Sequence, residues 1–99
     1  MDDQTLGPVT LPLEDCIDLH PFAPRDVPAV VEEYLLAAQA AGLREVRLIH
    51  GRGTGVQRAR VQSLLSRLPC VVRAYEAPAE RGGWGATIVE LWEITPNLS

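Results

Sequence analysis

Strand-like and helix-like runs alternate along this chain, and that alternation constrains the fold more than any other feature. From residue 26 to residue 41 apolar side chains recur at intervals of three and four, which is typical of an amphipathic helix capped by Asp26 and closed by Gly42. A second stripe follows Gly55, and Pro69 stops that helix. The apolar stripes are Val27, Val30, Val31, Tyr34, Leu35 and Ala38 in the first helix and Val61, Leu64, Leu65 and Leu68 in the second.

Four strands are predicted around these helices, at residues 16–20, 45–50, 70–76 and 86–92. The order is therefore βαβαββ. Each strand-helix-strand unit is a right-handed crossover, so the first three strands run parallel. The connection at 77–85 is shorter than the dozen or so residues of a parallel crossover, which makes the fourth strand antiparallel and the sheet mixed. Open α/β sheets usually bind ligands at the carboxyl edge, where these connections meet.

The length of the chain limits it to one domain around a single core. Residues 16–92 are predicted to form that domain, after an extended arm at 1–15 and before a tail at 93–99. No apolar stretch approaches the ~20 residues that a membrane span requires. The acidic start lacks the basic and apolar regions of a secretory signal, so we expect a cytoplasmic protein that does not engage membranes.

The charge of the chain restricts its partners. Thirteen acidic residues outnumber nine arginines, and the net charge is -4. Such a chain is a poor general binder of polyanions, so any nucleic-acid site must be a local patch. The two cysteines, Cys16 and Cys70, lie in predicted strands and are expected to be reduced core residues rather than a disulfide or metal ligands.

A glycine-rich turn at residues 50–55 joins the second strand to the second helix. Its glycines allow backbone amides and the positive helix end to approach a phosphate, although a plain tight turn explains the turn alone equally well. It is neither a Walker loop nor a dinucleotide fingerprint, because its spacing is G-x-G-x-G and no Gly-Lys-Ser/Thr follows. A solvated helix face is the competing explanation for Arg58 and Arg60. The candidate phosphate-binding residues are Gly51, Arg52, Gly53, Thr54, Gly55, Arg58 and Arg60.

Three ionisable side chains are candidates for catalysis. Asp18 and His20 lie two residues apart on one strand face, where the carboxylate could orient the imidazole for acid-base work. A solvent-facing pair is the simpler account of this spacing alone, but His50 is expected at the same sheet edge. The three side chains could also hold a divalent ion such as Mg²⁺ or Mn²⁺, although their spacing is a weak metal signal.

The loop before the last strand places an aromatic residue between glycines, in the run Gly83-Trp84-Gly85. Two interpretations remain open, because the indole of Trp84 could stack on an unpaired base or fold back over the core. The sheet face away from the helices is a further candidate surface for nucleic acid or a partner protein. Alternation places on it Arg47, Arg73, Tyr75 and Trp92, diluted by Asp18 and Glu90.

Three motifs of the chain resemble those of Smr (small MutS-related) domains. Residues 17–20 resemble their Leu-Asp-Leu-His-Gly opening, residues 50–55 their His-Gly-x-Gly-x-Gly motif, and residues 82–87 their third glycine-rich segment. The resemblance spans about residues 13–91. It implies a two-layer βαβαββ sandwich, with a four-stranded mixed sheet and two helices on one face, similar to the C-terminal domain of bacterial translation initiation factor three.

The resemblance also implies roles for particular residues. Asp18 and His20 would be the acid-base pair, His50 would lie in the active loop, and the glycines of the turn would shape the phosphate site. The chain departs from the pattern at Pro21, where the family commonly has glycine. Proline fixes the backbone after His20 and removes an amide donor.

Three functional hypotheses follow for the chain. Family members include DNA and RNA endonucleases, which makes a nicking enzyme the leading hypothesis. The alternative is a non-catalytic module that recognises branched or structured nucleic acid or docks a repair or ribosome-associated protein. A third is a small-anion or nucleotide site at the glycine turn.

Overall fold

Within the described residues, four strands and two α-helices follow one another in the predicted βαβαββ order. The computed structural model describes residues 13–53 and 55–93. The elements are β1 at Cys16–Asp18, α1 at Val27–Ala40, β2 at Glu45–Ile49, α2 at Val56–Leu65, β3 at Val71–Glu76 and β4 at Ala86–Leu91.

The four strands form one mixed sheet in the order β1-β2-β4-β3. Strand β1 pairs with β2 in parallel, whereas β4 lies antiparallel between β2 and β3. Leu48 in β2 is the register partner of Ile17 on one side and of Thr87 on the other. Strands β1, β2 and β3 therefore point the same way, and their carboxyl ends share one edge with the start of β4. The predicted fold class is confirmed.

Both helices pack on one face of the sheet. In β2, Val46 and Leu48 are fully buried, while Arg47 between them points to the other face, as a period of two requires. Burial of each such side chain stabilises the fold by roughly 1.5–3 kcal/mol. Both predicted helical stripes are confirmed as core-facing. The core cluster consists mainly of Leu19, Val31, Leu35, Ala38, Val46, Leu48, Val61, Leu64, Leu65, Val89 and Leu91.

Asp26 is the N-cap residue of α1, as predicted. Its side chain, however, makes no capping hydrogen bond. A 3₁₀ turn at Pro24–Asp26 precedes the helix, so Asp26 already has helical backbone angles. An N-cap residue that accepts from the first turn normally has extended angles instead.

Gly42 closes α1 as predicted. Its φ is +90°, the left-handed region that glycine adopts readily. The Gly42 amide donates to the Gln39 carbonyl and the Leu43 amide to the Ala38 carbonyl, which is the Schellman pattern. Helix α2 ends at Leu65, four residues before Pro69. Between them, backbone hydrogen bonds that span three residues follow, from the Arg67 amide to the Leu64 carbonyl and from the Leu68 amide to the Leu65 carbonyl.

The described end of the N-terminal arm lies against the domain. The Tyr34 hydroxyl donates to the Glu14 carbonyl at 2.6 Å, and the Arg47 amide donates to the Asp15 carbonyl at 2.9 Å. Burial raises the pKa of Tyr34 to about 12, so the hydroxyl remains a donor. The rest of the arm and Thr54 lie outside the described residues. Within the described ranges, neither helix is long and apolar enough to cross a membrane, and both cysteines are free thiols.

Candidate functional site

An open groove of about 410 Å³ lies at the carboxyl edge of the sheet, where β1 and β2 end. Its volume is within the range of small-ligand sites. The groove is lined by the connection between β1 and α1, by the glycine-rich turn and by the first turns of α2. The predicted site residues that line it are His20, His50, Gly51, Arg52, Gly53, Gly55, Arg58 and Arg60.

Asp18 and His20 form a hydrogen-bonded pair at the edge of this groove. Asp18 Oδ1 accepts the backbone amide of His20 at 2.9 Å and lies 2.6 Å from His20 Nδ1. These bonds, the backbone one first, hold the pKa of Asp18 below its usual range. Because an ionised carboxylate can only accept, Nδ1 carries the proton. With the proton of the imidazole on Nδ1, the lone pair that a general base needs is on Nε2.

The ring of His20 lies directly against Gly51. A β-carbon on Gly51 would lie 2.5 Å from His20 Nε2, which is closer than real contacts allow. Gly51 also has a φ of +86°. Glycine at this position therefore permits both the turn and the placement of His20 Nε2 beside it.

His50 is buried and hydrogen-bonds to the glycine-rich turn from inside the protein. Its Nδ1 donates to the Gly51 carbonyl at 3.0 Å, and its Nε2 accepts from the Thr87 hydroxyl at 2.9 Å. Burial lowers the pKa of His50, which favours the neutral ring that this pattern requires. Both nitrogens are thus engaged inside the protein. His50 lines the groove without presenting a free nitrogen to it.

The carbonyl of Gly85 fastens the turn to the start of β4. It accepts the backbone amides of His50 and Gly51 at 3.0 and 2.9 Å. The Gly51 amide is therefore used within the protein. Gly51 still shapes the site, because the absence of a β-carbon leaves space for the His20 ring.

The N-terminus of α2 opens into the groove. Within the described residues, the first α-helical bond at this end runs from the Ala59 amide to the Gly55 carbonyl. The amides of residues 56–58 lie in the first turn, where the helix itself supplies no acceptor. No acidic residue lies in this first turn, and Arg58 occupies it instead. A cation near the positive end of a helix is locally unfavourable, which an anion in the groove would reverse.

Arg52 lies across the loop that precedes β4. A β-carbon on Gly83 would lie 3.3 Å from Arg52 Nη2, and one on Gly85 would lie 3.1 Å from Arg52 Cγ. The two glycines therefore leave room for this side chain. Neither Arg52 nor Arg60 forms an ion pair with a carboxylate in the described part of the chain.

Trp84 packs on the glycine turn and is covered by Arg58. A β-carbon on Gly55 would lie 3.1 Å from Trp84 Cη2, and the Arg58 guanidinium lies 5.4 Å from the indole centroid. Arg58 also pairs with Glu76, with Nη2 3.5 Å from Oε1. Trp84 does not line the groove. Of the predicted arginines, Arg52 and Arg60 are therefore the ones left available to a ligand.

Two arginines beside the helix-free face of the sheet are paired with carboxylates. Arg73 forms a bidentate pair with Glu90 at 2.9 and 3.0 Å, and Arg81 pairs with Glu45 at 2.9 Å. Arg47 Nη1 donates to the Arg81 carbonyl at 2.9 Å, while its buried Nε has no partner in the described part of the chain. Because the charges of Arg73 and Arg81 are neutralised, the groove is the better candidate for an anion.

No metal centre is assembled in the described ranges, 13–53 and 55–93. No three His, Cys, Asp or Glu side chains there form a group that could hold an ion. Asp18 and His20 lie together, but His50 uses its nitrogens elsewhere. The three-residue metal set suggested by the sequence is therefore not formed.

Three residues of this region were not predicted as part of the site. Thr87 is fully buried and donates to His50, Glu76 pairs with Arg58, and Phe22 lines the groove. Thr87 and Glu76 meet their partners only through tertiary folding. Phe22 had a signal, since it closely follows His20 in a connection predicted at the carboxyl edge.

These features define a small two-layer α/β domain with a glycine-lined groove and an Asp-His pair at its carboxyl edge. The chain belongs to the Smr domain family, whose model matches residues 17–92. Two solved structures share the fold. The Smr domain of Thermus thermophilus MutS2 has a TM-score of 0.75 and 34% identity over 80% of this chain and 99% of its own. YdaL, a stand-alone small MutS-related protein from Escherichia coli, has a TM-score of 0.74 and 28% identity over 81% of this chain and 66% of its own.

Curated relatives share the domain within much longer proteins. The chain is 49% identical over 61 residues to endonuclease MutS2 of Halalkalibacterium halodurans, which covers 62% of this chain and 8% of that protein. It is 38% identical over 79 residues to endonuclease MutS2 of Clostridium tetani, which covers 80% of this chain and 10% of that protein. The chain thus spans a tenth or less of the length of these relatives.

Proposed function

We propose that this domain binds the phosphodiester backbone of DNA or RNA in the groove and nicks it by acid-base catalysis at His20. One observation carries the proposal. His20 Nε2 lies against the glycine turn, in a groove lined by arginines, while Asp18 holds the other ring nitrogen. The relatives named endonuclease MutS2 support a nicking activity.

The backbone phosphate would lie at the turn and the N-terminus of α2. The amides of residues 56–58 point out of the helix end, and Arg52 and Arg60 add positive charge beside them. The chain as a whole carries a charge of -4, so this patch acts locally. Phosphate oxygens are the ligand that fits amides and guanidinium groups together.

The nicking step needs a base for the attacking oxygen. In the proposed reaction, Nε2 of His20 accepts a proton from water as the new bond from oxygen to phosphorus forms. The phosphorus-oxygen bond to one sugar oxygen breaks, and the leaving oxygen takes a proton from solvent. Arg52 and the helix amides face the negative charge that develops on the non-bridging oxygens. Acid-base catalysis of this kind contributes about 10²–10⁴-fold.

His50 acts as a positioning residue in this proposal. It bridges the Gly51 carbonyl and the Thr87 hydroxyl, and so keeps the turn in place below His20. Its neutral, buried ring is unsuited to exchange protons with a substrate. This assignment separates the two histidines that the sequence analysis grouped as catalytic.

A nicking assay tests the proposal. Supercoiled plasmid, branched DNA and structured RNA are incubated with wild type, His20→Ala and Arg67→Gln, an exposed control outside the groove, with Mg²⁺, with Mn²⁺ and with EDTA. We expect His20→Ala to retain binding and to lose nicking by about 10²-fold or more. Equal nicking by wild type and His20→Ala would rule out His20 as the base. The EDTA arm decides whether a divalent ion is required.

The second candidate is a cytoplasmic recognition module without cleavage, docking on structured nucleic acid or on a repair or ribosome-associated protein. Pro21 favours it, because it stands in the tight turn closed by the Phe22 amide and the Leu19 carbonyl at 3.2 Å. A proline there removes an amide beside His20 that could otherwise meet a phosphate. Binding by clean wild-type protein that never nicks any of the substrates would select this function.

A further inference from the structure

The groove has an apolar wall beside its arginines. Phe22 and Val56 are 38% and 53% exposed, and both line the groove together with Pro24. Phe22 belongs to neither buried cluster of the fold. A phenyl ring left in solvent beside an anion site offers a flat apolar face next to a phosphate.

The other aromatic residue near this edge, Trp84, is 38% exposed like Phe22, but it lies outside the groove. The indole of Trp84 lies under the Arg58 guanidinium and against Gly55, and it does not line the groove. Phe22 is thus the better-placed stacking surface. Its neighbour His20 lines the same groove, so a base on Phe22 and a phosphate at the turn would belong to the same or adjacent nucleotides.

We propose that Phe22, with Val56, forms a platform that stacks one unpaired base and makes the groove select unpaired nucleotides over duplex. This rests on the proposed binding of the backbone phosphate at the turn. The combination of a charged and an apolar wall in about 410 Å³ matches a ligand of nucleotide size. Stacking on an aromatic ring tolerates any base, because every base has a π face.

A paired strand cannot offer the same contact. In a duplex each base face is covered by its neighbours, so only the backbone is available to Arg52 and the helix amides. To reach Phe22, a paired base must first be unstacked and unpaired, which costs free energy. Loops, bulges, flaps and single strands avoid that cost. The selection therefore concerns strand state and applies to DNA and RNA alike.

Fluorescence anisotropy with labelled oligonucleotides tests the platform. A labelled 12-residue strand is titrated with protein as a single strand and as a duplex, in DNA and RNA forms. The proteins are wild type, Phe22→Ala, Phe22→Trp and Leu36→Ala, the last removing an exposed apolar side chain on α1 outside the groove. We expect wild type to bind the single strand about tenfold or more tightly than the duplex. Phe22→Ala should lose that preference, whereas Phe22→Trp and Leu36→Ala should keep it.

The outcomes separate this inference from the proposed function. If wild type binds but Phe22→Ala keeps the preference for the single strand, the platform is wrong and the phosphate site stands. If wild type binds duplex as tightly as single strand, the platform is again wrong and the phosphate site again stands. If wild type binds neither form, the platform and the phosphate site fail together. Circular dichroism checks that each variant is folded.

Discussion

Nδ1 of His20 lies 2.6 Å from Oδ1 of Asp18, and the same oxygen accepts the His20 backbone amide at 2.9 Å. One carboxylate thus fixes both the backbone turn and the orientation of the ring. The arrangement directs Nε2 towards Gly51 and the groove. The role of Asp18 is therefore to position His20.

Replacing Asp18 with Asn should reduce nicking while leaving binding intact. The amide oxygen can still accept hydrogen bonds from the His20 backbone and ring, but it lacks the negative charge that stabilises the protonated ring formed in the reaction. We expect the single-turnover rate to fall about 10²-fold or more, with a Kd within about twofold. Single-turnover cleavage and anisotropy measure the two quantities. A rate equal to wild type would show that the Asp-His bond does not serve catalysis.

Replacing Gly51 with Ala should damage the site more than the same change at Gly42. Both glycines have φ near +90°, so each alanine is strained by roughly 1–2 kcal/mol. A β-carbon at Gly42 meets nothing within 4 Å, whereas one at Gly51 would lie 2.5 Å from His20 Nε2. Denaturant unfolding should show a loss of stability in both variants, and only Gly51→Ala should lose nicking. Full activity in Gly51→Ala would contradict the close packing of His20.

Stability should fall as the pH is lowered below about 6.5. The pKa of His50 is lowered in the folded state, mainly by burial, so the unfolded chain binds more protons between the folded pKa and 6.5. The contribution of neutral His50 is complete above that window and is lost as the pH falls through it. Urea unfolding between pH 7.5 and 5.5 measures the slope. His50→Gln should flatten it, and an unchanged slope would assign the titration to another group.

Removing the Thr87 hydroxyl should loosen the glycine turn. Thr87→Val keeps the shape of the buried side chain but leaves His50 Nε2 without its donor, which costs about 1–3 kcal/mol. Thr87→Ser retains the hydroxyl and serves as the matched control. Urea unfolding should rank the stabilities as wild type, Thr87→Ser, then Thr87→Val. Equal stability of the two variants would mean that the hydroxyl does not matter.

Arg52→Gln should weaken binding uniformly across nucleic-acid sequences. A lost phosphate contact lowers the salt dependence of binding, by about one unit in the slope of log K against log salt. Arg67→Gln removes the same charge from an exposed position two residues after the end of α2, outside the groove. Anisotropy titrations at several salt concentrations measure the slope, and only Arg52→Gln should differ from wild type. Identical slopes for the two variants would remove Arg52 from the phosphate site.

The sequence predicted the fold well because its strongest signals are local. The helical stripes needed only the spacing of residues such as Val31, Leu35 and Val61, all of which are buried. The position of Asp26 at the start of α1 was also predicted. The absence of a capping bond from its side chain was not, because it depends on the 3₁₀ turn that precedes the helix. The residues of the groove were largely foreseen, since right-handed crossovers bring the ends of parallel strands together.

By itself, the sequence determined the order of the elements, the position of the glycine turn and the sheet edge at which the site lies, because these depend on short-range spacing and chain connectivity. Only the tertiary structure decided the roles of the side chains. It buried His50 against Thr87, which lies 37 positions away, and left His20 facing the groove. It also placed Trp84 against Arg58 and outside the groove, and Phe22 on the wall of the groove. The reason is physical, because burial and hydrogen-bond partners arise between residues that are distant along the chain and meet only after packing.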